Sequence, residues 1–76
     1  MQDGMIEIAA HITGTVWKIE VKEGDEIDEG DIVAILESMK MEMPVESDEA
    51  GTIKAIKVKE GQAIAEGDVI ALLEES

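Results

Sequence analysis

Ile32-Val33-Ala34-Ile35-Leu36-Glu37-Ser38-Met39-Lys40-Met41-Glu42-Met43-Pro44-Val45 decides how this chain folds. The run Ile32 to Leu36 is apolar and β-branched, as a buried strand requires. A second extended stretch, Glu42 to Val45, follows after a break centred on Lys40. Two strands separated by so short an interruption read as a hairpin, with the lysine at its tip and its amine in water. The break lacks the usual turn residues. A two-residue hairpin turn favours Asn-Gly or Gly-X because it needs positive φ, and Met-Lys supplies none of that chemistry. A residue kept against local preference points to function.

Outward from the hairpin, the sequence repeats. Residues 14 to 39 laid on 51 to 76, an offset of 37, match at 14 of 26 positions, too many for coincidence. Gly14-Thr15 recurs as Gly51-Thr52, Val21-Lys22-Glu23-Gly24 as Val58-Lys59-Glu60-Gly61, and Glu29-Gly30-Asp31 as Glu66-Gly67-Asp68. Ile6 and Ile8 fall on Met43 and Val45. Two copies cannot make a solenoid, which needs about three repeats. They fit two interlocked halves of a single domain over 1–76, related by an approximate two-fold axis. The position equivalent to Lys40 then falls just past Ser76, which places the termini at the opposite end of the molecule from Lys40.

Each copy reads as strands. Val16, Ile19, Val21 and their counterparts Ile53, Ile56, Val58 carry the pattern, but Val16 to Ile19 and Ile53 to Ile56 are each three apart where a strand alternates by two. The same slip in both copies predicts a β-bulge. No apolar helical stripe persists, and Gly24, Gly30, Gly61 and Gly67 mark turns. The fold class is all-β, a small sandwich or flattened barrel.

The segment Glu37-Ser38-Met39-Lys40-Met41-Glu42-Met43-Pro44 resembles the attachment motif of biotinyl (biotin/lipoyl attachment) domains, whose usual form is Glu-Ala-Met-Lys-Met. Gly14-Thr15-Val16 and the Glu-Gly-Asp pairs around Gly24 and Gly30 sit where that family has them, and the resemblance covers nearly the whole chain. Ser38 for alanine is the one departure inside the motif, small for small. The resemblance implies a barrel-sandwich hybrid of two antiparallel sheets with pseudo-two-fold symmetry. It implies that a biotin protein ligase joins biotin to Lys40 through an amide, and that the arm carries carboxybiotin between biotin carboxylase and carboxyltransferase sites. Lipoyl domains share the fold but usually have Asp-Lys-Ala at the turn, so Met-Lys-Met favours biotin; a lipoyl carrier, or a dual acceptor of biotin and lipoate, is the alternative. A third reading is an unmodified interaction module of the same fold, as in membrane-fusion proteins, which would need longer helical flanks. The extra protruding loop of some bacterial carriers is missing between Val21 and Ile27. Without an Ala/Pro-rich tether, the chain resembles the small stand-alone bacterial biotin/lipoyl attachment proteins or is an excised domain.

The remaining residues fit a carrier better than a catalyst. Lysine extends a nucleophilic amine on four methylenes, but a water-exposed amine is protonated at neutral pH, so activation falls to the ligase and the hard chemistry to the cofactor. Met39 and Met41 are either core packing or an apolar collar recognised by a partner. Glu37 and Glu42 are either solvated charges, aids to ligase recognition or residues that hold the turn. Met43 aligns with Ile6 and is expected in the core, Pro44 suits a strand edge or bulge, Trp17 aligns with Lys54 and is either partly exposed packing or a partner contact, and His11 is surface. Asp25, Asp28 and Asp31 miss the spacing of a calcium loop and read as turns, so no metal ligand is assigned. With one histidine and no cysteine, no nucleophile-base set can be assembled, and no catalytic residue is assigned.

Composition sets the partners. Nineteen acidic residues against six lysines give a net charge of −13, which repels nucleic acid and anionic membranes. The acidic field keeps copies apart, predicting a monomer, and steers the domain to basic partner surfaces. No apolar run reaches the roughly 20 residues of a membrane span, and the N-terminus lacks a signal pattern; the expectation is a cytoplasmic protein. A chain this short buries only about 60% of its unfolded surface, so stability rests on one tight apolar core.

Overall fold

The computed structural model describes residues 5–75, which form eight strands: β1 (Met5–Ala9), β2 (Gly14–Ile19), β3 (Glu26–Ile27), β4 (Ile32–Ser38), β5 (Met41–Glu46), β6 (Gly51–Ile56), β7 (Ala63–Ile64) and β8 (Val69–Glu75). They pair antiparallel into two four-stranded sheets, one ordered β1-β8-β6-β3 and the other β5-β4-β2-β7. The first is called here the terminal sheet and the second the lysine sheet. The all-β, two-sheet expectation holds.

The internal repeat is written into the registers. In the lysine sheet Thr15 faces Glu37, Val16 faces Leu36, Lys18 faces Ile35 and Ile19 faces Ala34. Adding 37 to each number gives the pairing of β6 with β8: Thr52 with Glu74, Ile53 with Leu73, Ala55 with Leu72, Ile56 with Ala71. Both ladders slip at the same place, leaving Trp17 and Lys54 as the extra residues of two equivalent bulges. The three-residue spacing from Val16 to Ile19 was the trace of that bulge. An extra residue inserted on one strand returns the following apolar side chain to the core face.

The core lies between the sheets. Val16 and Leu36 from one half, and Ile53 and Leu73 from the other, face each other across their ladders with no exposed surface. Val33, Ala34, Ile70 and Ala71 complete the centre, with Ile8, Val45, Ile27 and Ile64 closing it. Truncating one of these large side chains to alanine costs about 2–5 kcal/mol, a large fraction of the roughly 5–15 kcal/mol that holds a domain together. Met43 departs from expectation: it is only half-buried. It sits on β5, an edge strand, where one flank has no neighbouring strand to cover it. Pro44, on the same edge, gives up its donor without breaking a central ladder.

The halves are laced together by symmetric bonds. Glu60 Oε2 accepts the Ile19 N–H at 3.0 Å and Glu23 Oε2 accepts the Ile56 N–H at 3.3 Å, each reaching into the other half. The acidic turns cap themselves: Asp25 accepts from Lys22 N–H at 2.9 Å and Asp31 from Asp28 N–H at 2.8 Å. Asp68 does the same for Ala65 at 2.9 Å, and Gln62 for Lys59 at 3.1 Å. The aspartates are thus turn acceptors, as their spacing suggested.

Chain path sets the poles. β1 runs the length of the terminal sheet from Met5 to Ala9, and residues 10–13 cross to Gly14, which opens β2 against Glu37 and Ser38 at the lysine end. Met5 and its partner Glu74 therefore lie at the opposite end from Lys40 in a molecule 36 Å long. The expected counterpart of Lys40 just past Ser76, and the chain termini themselves, fall outside the described residues.

Candidate functional site

The hairpin between β4 and β5 closes in two residues. Ser38 faces Met41, leaving only Met39 and Lys40 to make the turn. Both take positive φ, 52° and 66°, and they are the only described residues besides glycine that do so. Paired positive φ is the signature of a type I′ turn, whose twist matches that of the flanking strands. Met39 and Lys40 thus adopt the conformation that Asn-Gly normally supplies. The left-handed region costs an ordinary side chain about 1–2 kcal/mol per residue, and the well-paired strands on either side hold the turn in it.

That turn is unaided by burial. Met39 is 92% and Met41 61% exposed, and Lys40 is exposed between them. At that exposure neither methionine belongs to the core. They form an apolar flank to an amine standing in water.

Glu37 and Glu42 face each other one rung below the turn, both exposed. Like charges directly opposite on a sheet destabilise it. The single salt bridge among the described residues is elsewhere, from Lys54 Nζ to Glu74 Oε1 at 3.0 Å. The candidate residues Glu37, Met39, Lys40, Met41 and Glu42 are thus brought together at one end of the lysine sheet. The support beneath them is Gly14: a Cβ there would run into the Glu37 carbonyl oxygen and come within 3.3 Å of the Ser38 Cβ. Gly51 packs the same way against Glu74 in the other half. In the sequence these glycines stand out only as repeat and motif residues, because a close backbone approach leaves no local signal.

Geometry fits a covalent acyl group on Lys40. Lys40 is exposed on the turn at one pole, with no acidic partner within salt-bridge distance among the described residues. Nucleophile-activating machinery is not assembled around it, and no group of three His, Cys, Asp or Glu side chains among the described residues is placed to hold a metal. No helix of the described residues is long and apolar enough to cross a membrane.

Comparison with known proteins agrees with this geometry. The sequence model of the family described as "Biotin-requiring enzyme" matches residues 4–73. The chain is 49% identical over 43 residues to the biotin/lipoyl attachment protein of Bacillus subtilis, covering 57% of this chain and 59% of that protein. It is 54% identical over 39 residues to the biotinylated protein TB7.3 of Mycobacterium tuberculosis, covering 51% and 55%. The match therefore spans little more than half the length of these relatives. Among solved structures, the urea carboxylase of Kluyveromyces lactis superposes with a TM-score of 0.88 at 33% identity, over 96% of this chain and 6% of that one. A single-chain, multi-domain long-chain acyl-CoA carboxylase superposes with a TM-score of 0.92 at 25% identity, over 100% and 8%.

Proposed function

The chain belongs to the biotin-requiring, biotin/lipoyl attachment family, and from that premise we propose that it is a biotin carrier domain whose Lys40 is acylated by a biotin protein ligase. The observation that carries this reading is the Met39-Lys40 turn. An exposed amine on a positive-φ hairpin, at the pole away from the described chain ends, is what an attached arm needs in order to swing. In the acylation the ligase's biotinyl-adenylate loses its acyl–oxygen bond, the Lys40 nitrogen forms the amide, the amine proton passes to a base of the ligase and AMP leaves. The bound group supplies a ring nitrogen that accepts and releases a carboxyl group; this chain supplies presentation. Gly14 and the β2–β4–β5 ladder hold the turn rigid, while the lysine methylenes give reach.

The partners that follow are the ligase, a biotin carboxylase and a carboxyltransferase. The solved structures it resembles are carboxylases, which supports that setting. At a net charge of −13 the domain works as a monomer, in the cytoplasm, where carboxylase and ligase would meet it.

Intact-mass spectrometry after co-expression with a biotin ligase tests the reading. The expected result is one biotinyl increment, absent from Lys40→Ala. A lipoyl increment instead, with a lipoylating enzyme, would turn the assignment to a lipoyl carrier. No acylation by either enzyme would end the carrier reading.

A further inference from the structure

The two halves match so closely that a position where they differ in chemistry is informative. In the terminal sheet the bulge residue Lys54 reaches Glu74 at 3.0 Å. The equivalent positions in the lysine sheet are Trp17 and Glu37, at the same register and in the same bulge. Here the cation is replaced by an indole that is 48% exposed, and Glu37 is left facing Glu42 without a salt-bridge partner. The change removes an ion pair and a solvating lysine, and leaves a large aromatic surface in water. Nothing in the packing calls for it, because the other half closes the same ladder without a tryptophan.

The location is also one-sided. Among the described residues the exposed large hydrophobics are Trp17, Ile32, Met39 and Met41, and all four lie on the lysine sheet or its hairpin. Ile32 stands at the far end of β4. Trp17 and Met39 lie toward the lysine end, and Met41 pairs with Ser38 in line with the inward-facing Leu36–Met43 and Ala34–Val45 pairs, on the other face from Glu37 and Glu42. Trp17 lies opposite the Leu36–Ile35 step, two to three residues from Ser38, or about 7–10 Å from the last rung before the turn at the usual rise per residue. Its mate Lys54 reaches Glu74, which maps onto Glu37, so position 17 lies within side-chain reach of Glu37. A partner of ordinary footprint, about 800 Å² per side, would cover roughly a sixth of the 4854 Å² surface. That is enough to hold the turn and Trp17 together.

We propose that Trp17, with Glu37 and Glu42, forms a docking surface on the outer face of the lysine sheet for the ligase that acylates Lys40, Trp17 filling an apolar socket rimmed by lysine or arginine. This rests on the carrier reading. The occupant is chosen by charge: a second copy would bring another −13 against the same face, whereas a basic-rimmed enzyme is attracted and steered to it. It is chosen also by timing, since the bare chain already displays the indole and the collar before any acyl group is present. Tryptophan is among the residues most enriched as interface anchors. Trp17 is a positioning residue: it touches no reacting atom and acts through binding.

The test is ligase kinetics on the intact chain. Trp17→Ala and Trp17→Lys, the second copying the residue of the other half, should each raise the KM for the carrier about tenfold with kcat unchanged. Lys54→Ala on the terminal sheet should leave both constants alone. A wild-type KM in Trp17→Ala overturns the proposal even if Trp17→Lys is impaired, because charge alone would then be responsible. A second measurement needs no change at position 17. The chain has one tryptophan, so 5-fluorotryptophan labelling of Lys40→Arg gives a single fluorine resonance. Titration with ligase should shift or broaden that resonance, and an unmoved signal at saturating ligase also overturns the proposal. If wild-type Lys40 takes no biotin at all, the carrier reading fails and this inference goes with it; acylation with an indifferent Trp17 sinks the inference alone.

Discussion

Replacing Met39 with asparagine should stabilise the fold while making the chain a poorer ligase substrate. Met39 holds φ at 52° with 92% of its surface in water. Little burial is lost on truncation: at about 25 cal/mol per Å², the few Å² it covers are worth a few tenths of a kcal/mol at most. Relief of the left-handed strain returns about 1–2 kcal/mol at a position where asparagine is at home. The net gain is about 1 kcal/mol. Unfolding entropy near 2.1 cal/mol/K per residue gives about 160 cal/mol/K for 76 residues, so the melting midpoint should rise by about 6 °C. Met39→Gly relieves the same strain but loosens the unfolded chain by about 0.5–1 kcal/mol, and should gain less. Thermal melts followed by circular dichroism, run beside ligase assays on the same samples, give both readouts. A midpoint for Met39→Asn at or below the wild-type value would refute the strained-turn account. Unchanged ligase kinetics would refute the collar.

Other perturbations probe the support and the charge. Gly14→Ala drives a Cβ into the Glu37 carbonyl, and Gly51→Ala does so at Glu74; each should cost about 1–3 kcal/mol, and an unchanged urea midpoint for either would show that the ladders can part freely. Glu42→Gln removes the like-charge pair with Glu37 and should add a few tenths to about 1 kcal/mol, whereas a loss would mean the two carboxylates do not repel. Lys54→Ala breaks an ion pair whose side chains are 49% and 47% exposed, so its cost should stay below about 1 kcal/mol; a loss of several kcal/mol in denaturant titration would contradict that solvent screening. With a net charge of −13, raising ionic strength from about 0.05 to 0.5 M should raise the melting midpoint by damping self-repulsion, and a fall would remove the charge argument.

Much of this was legible in the sequence because the repeat supplied a second reading of every strand. The slip at Val16–Ile19 is ambiguous alone, but its recurrence at Ile53–Ile56 made it a bulge. The self-capping turns at Asp25 and Asp31 are local and were read as turns for that reason. The hairpin lysine was found because Met39-Lys40 offends turn preference, though the preference could not say that both residues would accept positive φ. Contacts spanning the halves were out of reach. Glu60 bonds a backbone 41 residues away and Glu23 one 33 away, and both glutamates look like ordinary surface charge. Met43 was expected in the core by its alignment with Ile6; β5 lies at a sheet edge and leaves it half-covered. Partial exposure of Trp17 is readable from its alignment with Lys54, but the contrast with the Lys54–Glu74 ion pair depends on a contact no local pattern signals.

The adjoining positions of Met5 and Glu74 open a route to re-engineering. They meet across β1 and β8 as Glu42 and Glu37 meet across β5 and β4, so this pair holds the rung that, in the other half, lies just below the turn. Sealing them with a short Met-Lys-type link would create a second presentation point at the far pole. A ring cut instead between Met39 and Lys40 would retain every ladder while trading the roles of the two sheets.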